Sequence, residues 1–323
     1  MNKKFLKLVG LGFYNPDEFK VKNIRLRDGR DAILWVHRDT GHGILDMKYW
    51  PEEITGDYYS ENYRDQHSIQ SDGAHTDSNT HFELFRDINK KQYDFIKPHL
   101  TGNTKYLEIG SSFGGILSQV VNDVSECHAI EPNIRDVDYV QSKHPNIKIY
   151  RSKIEDTNLE DNYYDTVASI EVLEHMVSVE VFLQSCFNSL KVGGNLILEV
   201  PNHRDVLYSC YKASAYKDFY YHKAHIHYFT DKSLINICDH YGFTGTVDTF
   251  QVYPFFNHVN WCLNNEPQTT GRVAMSTPKP TDGFTVENKA INNFYKRVEQ
   301  EYDTLINKYK LGGELVFKGT KNG

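Results

Sequence analysis

Between residues 105 and 202 short apolar runs alternate with stretches of helical period. The runs are Lys105–Ile109, Cys127–Ile130, Ile147–Tyr150, Asp165–Ile170 and Asn195–Val200. Each is largely apolar, as in a strand buried on both faces, and glycines or polar residues bound it. Between them, Ile116, Leu117, Val120, Val121 and Val124 fall on one helical face, and Val179–Leu190 is a second helical stretch. Strands alternating with helices predict an α/β fold built on a parallel sheet with both faces covered.

The flanks are patterned differently. Upstream, Asn23–Leu26 and Ala32–His37 predict two strands around the turn-like Asp28-Gly29-Arg30. From His81 the spacing turns helical, with Phe82, Phe85, Ile88, Gln92, Tyr93 and Ile96 sharing a face and Pro98 ending the run. Downstream, Phe243–Tyr253 and Glu314–Lys318 predict two more strands, separated by a long insertion. Within it, Ile291, Phe294, Tyr295, Val298, Tyr302, Leu305, Ile306 and Tyr309 space as an amphipathic helix. Gln268–Thr285, poor in apolar residues, predicts a loop.

Composition narrows the class. The chain has 323 residues and a net charge of −7, which argues against non-specific nucleic-acid binding, since that depends on Lys and Arg contacts to phosphate. No stretch approaches the ~20 consecutive apolar residues of a membrane span. The short basic and apolar start before Asn15-Pro16-Asp17 lacks a small-residue cleavage site, so no signal peptide is expected. Cys127, Cys186, Cys210, Cys238 and Cys262 form no CxxC pair and fit the reduced thiols of a cytoplasmic protein. Aromatic residues reach 13%, with 22 Tyr and 18 Phe against 3 Trp. Such a surplus either lines a pocket with rings and hydroxyls or stiffens a core.

Sheets of this kind bind ligands beyond the carboxyl ends of their strands. After the first strand of the regular region comes Leu107-Glu108-Ile109-Gly110-Ser111-Ser112-Phe113-Gly114-Gly115. Glycines there let the backbone approach a ligand, and a following helix offers free N–H groups. The Glu108 carboxylate would repel phosphates and favour a cation or amine, and Ser112 stands where a dinucleotide loop has its middle glycine. A nicotinamide oxidoreductase is therefore disfavoured. Glu131, in Ala129-Ile130-Glu131-Pro132-Asn133, ends the next strand and is placed to accept two ribose hydroxyls. Lys153-Ile154-Glu155-Asp156 puts an apolar residue beside acids, which suits an adenine ring and its amine. Glu171-Val172-Leu173-Glu174-His175-Met176 follows the fourth strand, and the fifth ends Glu199-Val200-Pro201-Asn202-His203.

The succession LEIGSSFGG, AIEPN, YYDTVASIEVLEHM and LKVGGNLILEVPN, over about residues 104–250, resembles the class I S-adenosylmethionine-dependent methyltransferases. More narrowly it resembles the bacterial sugar and small-molecule branch whose members carry EVLEH after the fourth strand. The resemblance implies a Rossmann-like seven-stranded sheet, mostly parallel with the last strand antiparallel, the two tail strands being its sixth and seventh. It implies S-adenosyl-L-methionine as cofactor. Glu108, Gly110 and Gly114 would hold its methionine end, with Ser112 in the same loop in place of the commoner glycine. Glu131 would take the ribose, Ile154 and Glu155 would border adenine, and Glu171 would lie near the sulfonium side.

A second resemblance extends outward. GHGILDMKYWPEEITGDYYSENYRD is similar to the segment that precedes the fold in many bacterial sugar and small-molecule methyltransferases. A cysteine-rich zinc element often comes before it there; this chain has no cysteine before Cys127, and no metal is expected. HKAHIHYFTDKSLINICDHYGF is similar to the HxxxFTxxSLxxLLxxxGF stretch of the same branch. In its sugar C-methyltransferases a histidine of this stretch sits at the reaction centre. His225 matches that position best and His227 next, with Ala224 where an acid usually precedes.

Methyl transfer from a sulfonium needs an aligned nucleophile and often a proton acceptor, a role that histidine fills near neutral pH. His225, His227 and His175 are the candidate bases; each also reads as a packed or acid-paired histidine. Tyr59, Tyr63, His203 and Tyr221 are candidate acceptor contacts. The expected acceptor is a small polar molecule, a sugar or nucleotide-linked sugar of a surface glycan pathway, methylated at oxygen or carbon. A quinone-like or other aromatic acceptor and a non-catalytic cofactor-binding module are the alternatives. The expected organisation is an N-terminal extension or lid (1–75), a cofactor-binding core (76–254), an insertion with an amphipathic helix (255–310) and the last core strand (311–323). The C-terminal helix is a possible homodimer contact.

Overall fold

The computed structural model describes residues 1–50 and 77–323. The first fifty build a small antiparallel sheet. β1 (Phe19–Arg25) and β2 (Asp31–His37) pair in register from Phe19↔His37 to Arg25↔Asp31, across a turn in which Gly29 takes φ +86°. β3 (Gly43–Leu45) joins β2.

The regular region supplies β4 (Lys105–Ile109), β5 (Glu126–Ile130), β6 (Lys148–Tyr150), β7 (Tyr164–Ile170) and β8 (Leu190–Pro201). Three later strands follow: β9 (His227–Tyr228), β10 (Phe243–Phe250) and β11 (Glu314–Lys321). The central sheet has the order β10-β11-β8-β7-β4-β5-β6. Strands β4 to β8 run parallel, and β11 is antiparallel to both of its neighbours. This is the expected seven-stranded α/β sheet with a reversed last strand. β9 does not enter it; it completes the small sheet by pairing with β3, Ile44 opposite His227.

Strand alternation divides the core into two layers. Leu107, Val167, Leu196, Leu198, Leu315 and Phe317 point to one face, where the helices Val179–Ser189 and Asp231–His240 cover them together with Leu6, Val9 and Leu11. Tyr106, Ala168, Ile197 and Val316 point to the other, beneath Tyr93 and Ile96 of the helix Ser78–Ile96 and Val140 of the helix Ile134–Lys143. Successive strand residues facing opposite layers are what a sheet buried on both sides requires.

Four sequence expectations shift, the last being that the Gln268–Thr285 loop holds the short helix Gly271–Ala274. Only Leu117–Val120 of the Ile116–Val124 face is regular helix, although Ile116, Leu117 and Val120 are buried as expected. Leu190-Lys191-Val192-Gly193-Gly194 is strand and not only the turn that its glycines imply. Gly193 (φ +75°) and Gly194 take up a register shift against β7 between Tyr164 and Thr166, a bulge that keeps the strand paired. The insertion between β10 and β11 carries the helices Phe255–Asn264, Gly271–Ala274 and Val286–Lys308, so the predicted amphipathic helix starts earlier than Ile291. Among the described residues no helix is long and apolar enough to cross a membrane.

Candidate active site

Two adjoining cavities open at the carboxyl ends of β4, β5 and β7. The first, of about 450 Å³, runs from the glycine loop past Glu131 to Ile154 and Glu155. Glu131 is buried and fixed from both sides: its Oε2 accepts from the Ser112 N–H and its Oε1 from the Asn133 N–H, each at 2.8 Å. Backbone donors of this kind aim the carboxylate into the cavity it lines. Ile154 is buried on the same wall.

The loop backbone is unusual. Gly110 has φ +77°, and a Cβ there would lie 2.3 Å from Val172 Cγ2. Ser112 has φ +50°, so the serine adopts the left-handed conformation that its commoner glycine counterpart would reach without cost. Gly110 and Ser112 line both cavities; Gly114 lines neither and packs against Val140, where a Cβ would come within 2.8 Å.

The second cavity, of about 260 Å³, shares Gly110, Ser112, Ile170 and Glu171 with the first. Its lining includes Glu108, Glu171, Glu199 and Glu314, with Phe82, Phe85 and Tyr253. Burial pushes the Glu108 carboxyl up to about 8, the Glu131 charge adds to the rise, and a hydrogen bond from the Tyr106 hydroxyl opposes it. Burial and then the Glu314 charge drive Glu171 and Glu199 well above the ordinary range. Glu171 also sits at φ +56°, its N–H donating to the Glu199 carbonyl at 2.9 Å. A non-glycine residue in that conformation at the junction of two cavities is held there by its surroundings.

The histidines separate. His175 lines the first cavity. Its Nδ1 lies 2.9 Å from the Ala224 carbonyl, so that nitrogen carries the proton and Nε2, 3.4 Å from Glu174 Oε1, is the basic one. His225 lines neither cavity but meets His175 edge to face, ring centroids 4.7 Å apart. His227 lines neither cavity and is 1% exposed; its Nδ1 lies 3.1 Å from His42 Nε2, and burial holds it down to about 4. His203 and Tyr221 are both buried and bond each other at 3.1 Å, away from the two cavities. Tyr59 and Tyr63 lie outside the described residues. Among the described residues, Glu174, His175 and His225 are the one group whose donor atoms converge, within 4.8 Å, closely enough to hold an ion.

A family model for the methyltransferase domain matches residues 74–247, more than half of the chain. The chain belongs to the methyltransferase domain family. No curated protein matches this methyltransferase. Solved structures similar to it include an S-adenosylmethionine-dependent methyltransferase from Archaeoglobus fulgidus, 16% identical over 73% of this chain and 94% of that one, with a TM-score of 0.47. A second, from Listeria monocytogenes and described as a putative methyltransferase of the same kind, is 15% identical over 73% and 98%, with a TM-score of 0.44. The phosphoethanolamine N-methyltransferase 2 of Haemonchus contortus, in complex with S-adenosyl-L-methionine, is 14% identical over 72% and 53%, with a TM-score of 0.45.

The cofactor of this methyltransferase is S-adenosyl-L-methionine, which when bound supplies an electrophilic methyl group on a positively charged sulfur. The donor set fits it: an aimed carboxylate for the ribose at Glu131, an apolar floor at Ile154 for adenine, and acids at Glu108 and Glu171 for the cationic groups. Sequence reasoning passed over Glu199 and Glu314. The signal was present, because each is a carboxylate at an inward position of an otherwise apolar strand, in LILEV and ELVF.

Proposed function

We propose that this methyltransferase acts on a small polar acceptor, a sugar or nucleotide-linked sugar, at oxygen or carbon, with His175 as the proton acceptor. The observation that carries the base assignment is that, of the three candidate histidines, His175 alone borders the cofactor cavity. Its Nδ1–H is committed to the Ala224 carbonyl, which orients the ring, and the proton would be taken at Nε2, beside Glu174 Oε1. His225, edge-on to His175, then acts as a positioning residue. The sugar assignment is supported by the similarity of the stretch around His225 to the sugar branch, and with it the enzyme would serve carbohydrate biosynthesis. The N-terminal extension would serve as part of the acceptor enclosure, since its β3 is tied to β9, a few residues beyond Ala224.

The test is a mass increase of one methyl group on candidate nucleotide sugars. His175→Ala is expected to lower turnover by about 10²-fold or more, the usual worth of a general base, with S-adenosylhomocysteine affinity retained. A His175→Ala enzyme with full turnover removes this residue from the base role.

A further inference from the structure

The face of the central sheet beneath the helix Ser78–Ile96 carries a pattern that packing alone does not explain. On β4 the inward positions are Tyr106 and then Glu108, on β8 Ile197 and then Glu199, and on β11 Val316 and then Glu314. Three strands therefore switch from apolar residue to glutamate at the same end, and Glu171 after β7 completes the set around one cavity. Glu108 and Glu199 are 3% and 1% exposed. Carboxylates removed from water are costly unless cations or donors meet them; short of that they keep their protons, as burial makes Glu108 and Glu199 do here, and a bound cation would displace those protons.

The protein meets them only in part. Gln92 Nε2 donates to Glu199 Oε1 at 2.9 Å, and the Tyr106 hydroxyl donates to Glu108 Oε2 at 3.2 Å. Among the described residues, Glu171 Oε1, Glu199 Oε2 and Glu314 Oε2 meet no donor from the rest of the protein, and the Glu171 and Glu314 carboxyls face each other closely enough to share a proton. An independent group on the same wall, the Ser111 hydroxyl, is 3% exposed and also unpartnered. Among the described residues no lysine or arginine lines the cavity, and His81 is its one histidine. The cofactor brings two cationic centres, its sulfonium and its ammonium, and one carboxylate of its own. Glu108 and Glu171 would answer the cationic centres, which would leave Glu199 and Glu314 without a counter-charge. Phe82, Phe85 and Tyr253 complete the walls, and aromatic faces add to the attraction of a cation.

We propose that the acceptor carries a protonated amine, and that Glu199 and Glu314, with Glu171, hold that ammonium in the cavity beneath the helix Ser78–Ile96. The inference rests on the methyltransferase reading and narrows its acceptor class: an amino sugar satisfies both. The amine is a handle that sets the acceptor's position relative to the methyl donor. Hydrogen bonds to ionised partners are about twice as strong as neutral ones, so an amine should be clearly preferred over a hydroxyl of the same shape.

The experiment is calorimetry on the full chain saturated with S-adenosylhomocysteine, near neutral pH, with paired probes: glucosamine against glucose, ethanolamine against ethylene glycol, and putrescine against butanediol. At least one amine is expected to bind about tenfold tighter or more than its hydroxyl counterpart. Glu314→Gln and Glu199→Gln, which keep the shape and remove the charge, are expected to abolish that preference while S-adenosylhomocysteine affinity stays within about twofold. Equal binding within every pair, no probe binding to protein that does bind S-adenosylhomocysteine, or a preference that survives in both variants overturns the amine assignment. Failure to bind S-adenosylhomocysteine overturns the cofactor reading itself, and the amine assignment with it.

Discussion

Glu131 shows how much one side chain does here. Its two oxygens are tied to the N–H groups of Ser112 and Asn133, so it organises the glycine loop and the start of the next helix before any ligand arrives. Glu131→Ala is therefore expected to weaken S-adenosylhomocysteine binding by about tenfold or more, since each lost bond to a charged acceptor is worth roughly 1.5–3 kcal/mol. Calorimetry checks it; affinity within about twofold of the parent would remove Glu131 from the ribose site. Ser112→Gly is the contrasting case. Replacing a residue at φ +50° by glycine relieves backbone strain and keeps the N–H that Glu131 uses. Its expected outcome is unchanged cofactor affinity with an equal or higher melting temperature. Glu131 stands out in the sequence as a candidate because an acid at that strand end has a defined task in such folds. Glu199 was passed over because a lone glutamate within an apolar strand shows its meaning only when Glu108 and Glu314 stand on the same face.

At the level of elements, the strands of the central sheet and the helices Ser78–Ile96, Val179–Ser189 and Val286–Lys308 followed from period and run length. The departures have local causes. A twin-glycine turn became a bulge because β7 and β8 continue to pair on both sides of it. The pairing of β9 with β3 was invisible, since two residues of strand carry no period and their partners lie far away in sequence. The junction between β4 and its loop gives the element-scale prediction. Gly110 combines φ +77° with contact against Val172, which leads into the short turn Leu173–His175. Gly110→Ala must strain the backbone or push that turn away, at a cost of about 1–3 kcal/mol. A melting temperature lowered by several degrees, with loss of cofactor binding, is the expected outcome, measured by thermal unfolding with and without S-adenosylhomocysteine. An unchanged melting curve would contradict the clash.

For the whole molecule, the buried acids make stability depend on pH in a defined direction. Burial holds Glu108 up to about 8, and Glu199 and Glu314 shift the same way. Folded chains therefore keep protons that unfolded chains release, and the stability this brings is complete below the unfolded carboxyl value of about 4.3. It is lost as pH rises towards about 8. His203, held down to about 4 by burial, contributes in the opposite sense, and only below the ordinary histidine range. Between about pH 6.5 and 8 the acids act alone, so the ligand-free protein should lose up to about 1.4 kcal/mol per pH unit for each group titrating there. Thermal unfolding across that interval checks it, and a flat or rising melting temperature would count against the acid cluster.

The pairing of Ile44 with His227 also bears on the order in which the protein is made. The ribosome delivers β3 early and its β9 partner only after most of the central sheet has been synthesised. At about 5–20 residues per second, β3 waits roughly 10–40 s for that partner. A strand made well before its partner is thus among the last to be closed, and nascent chains halted before β9 should leave β3 open to protease.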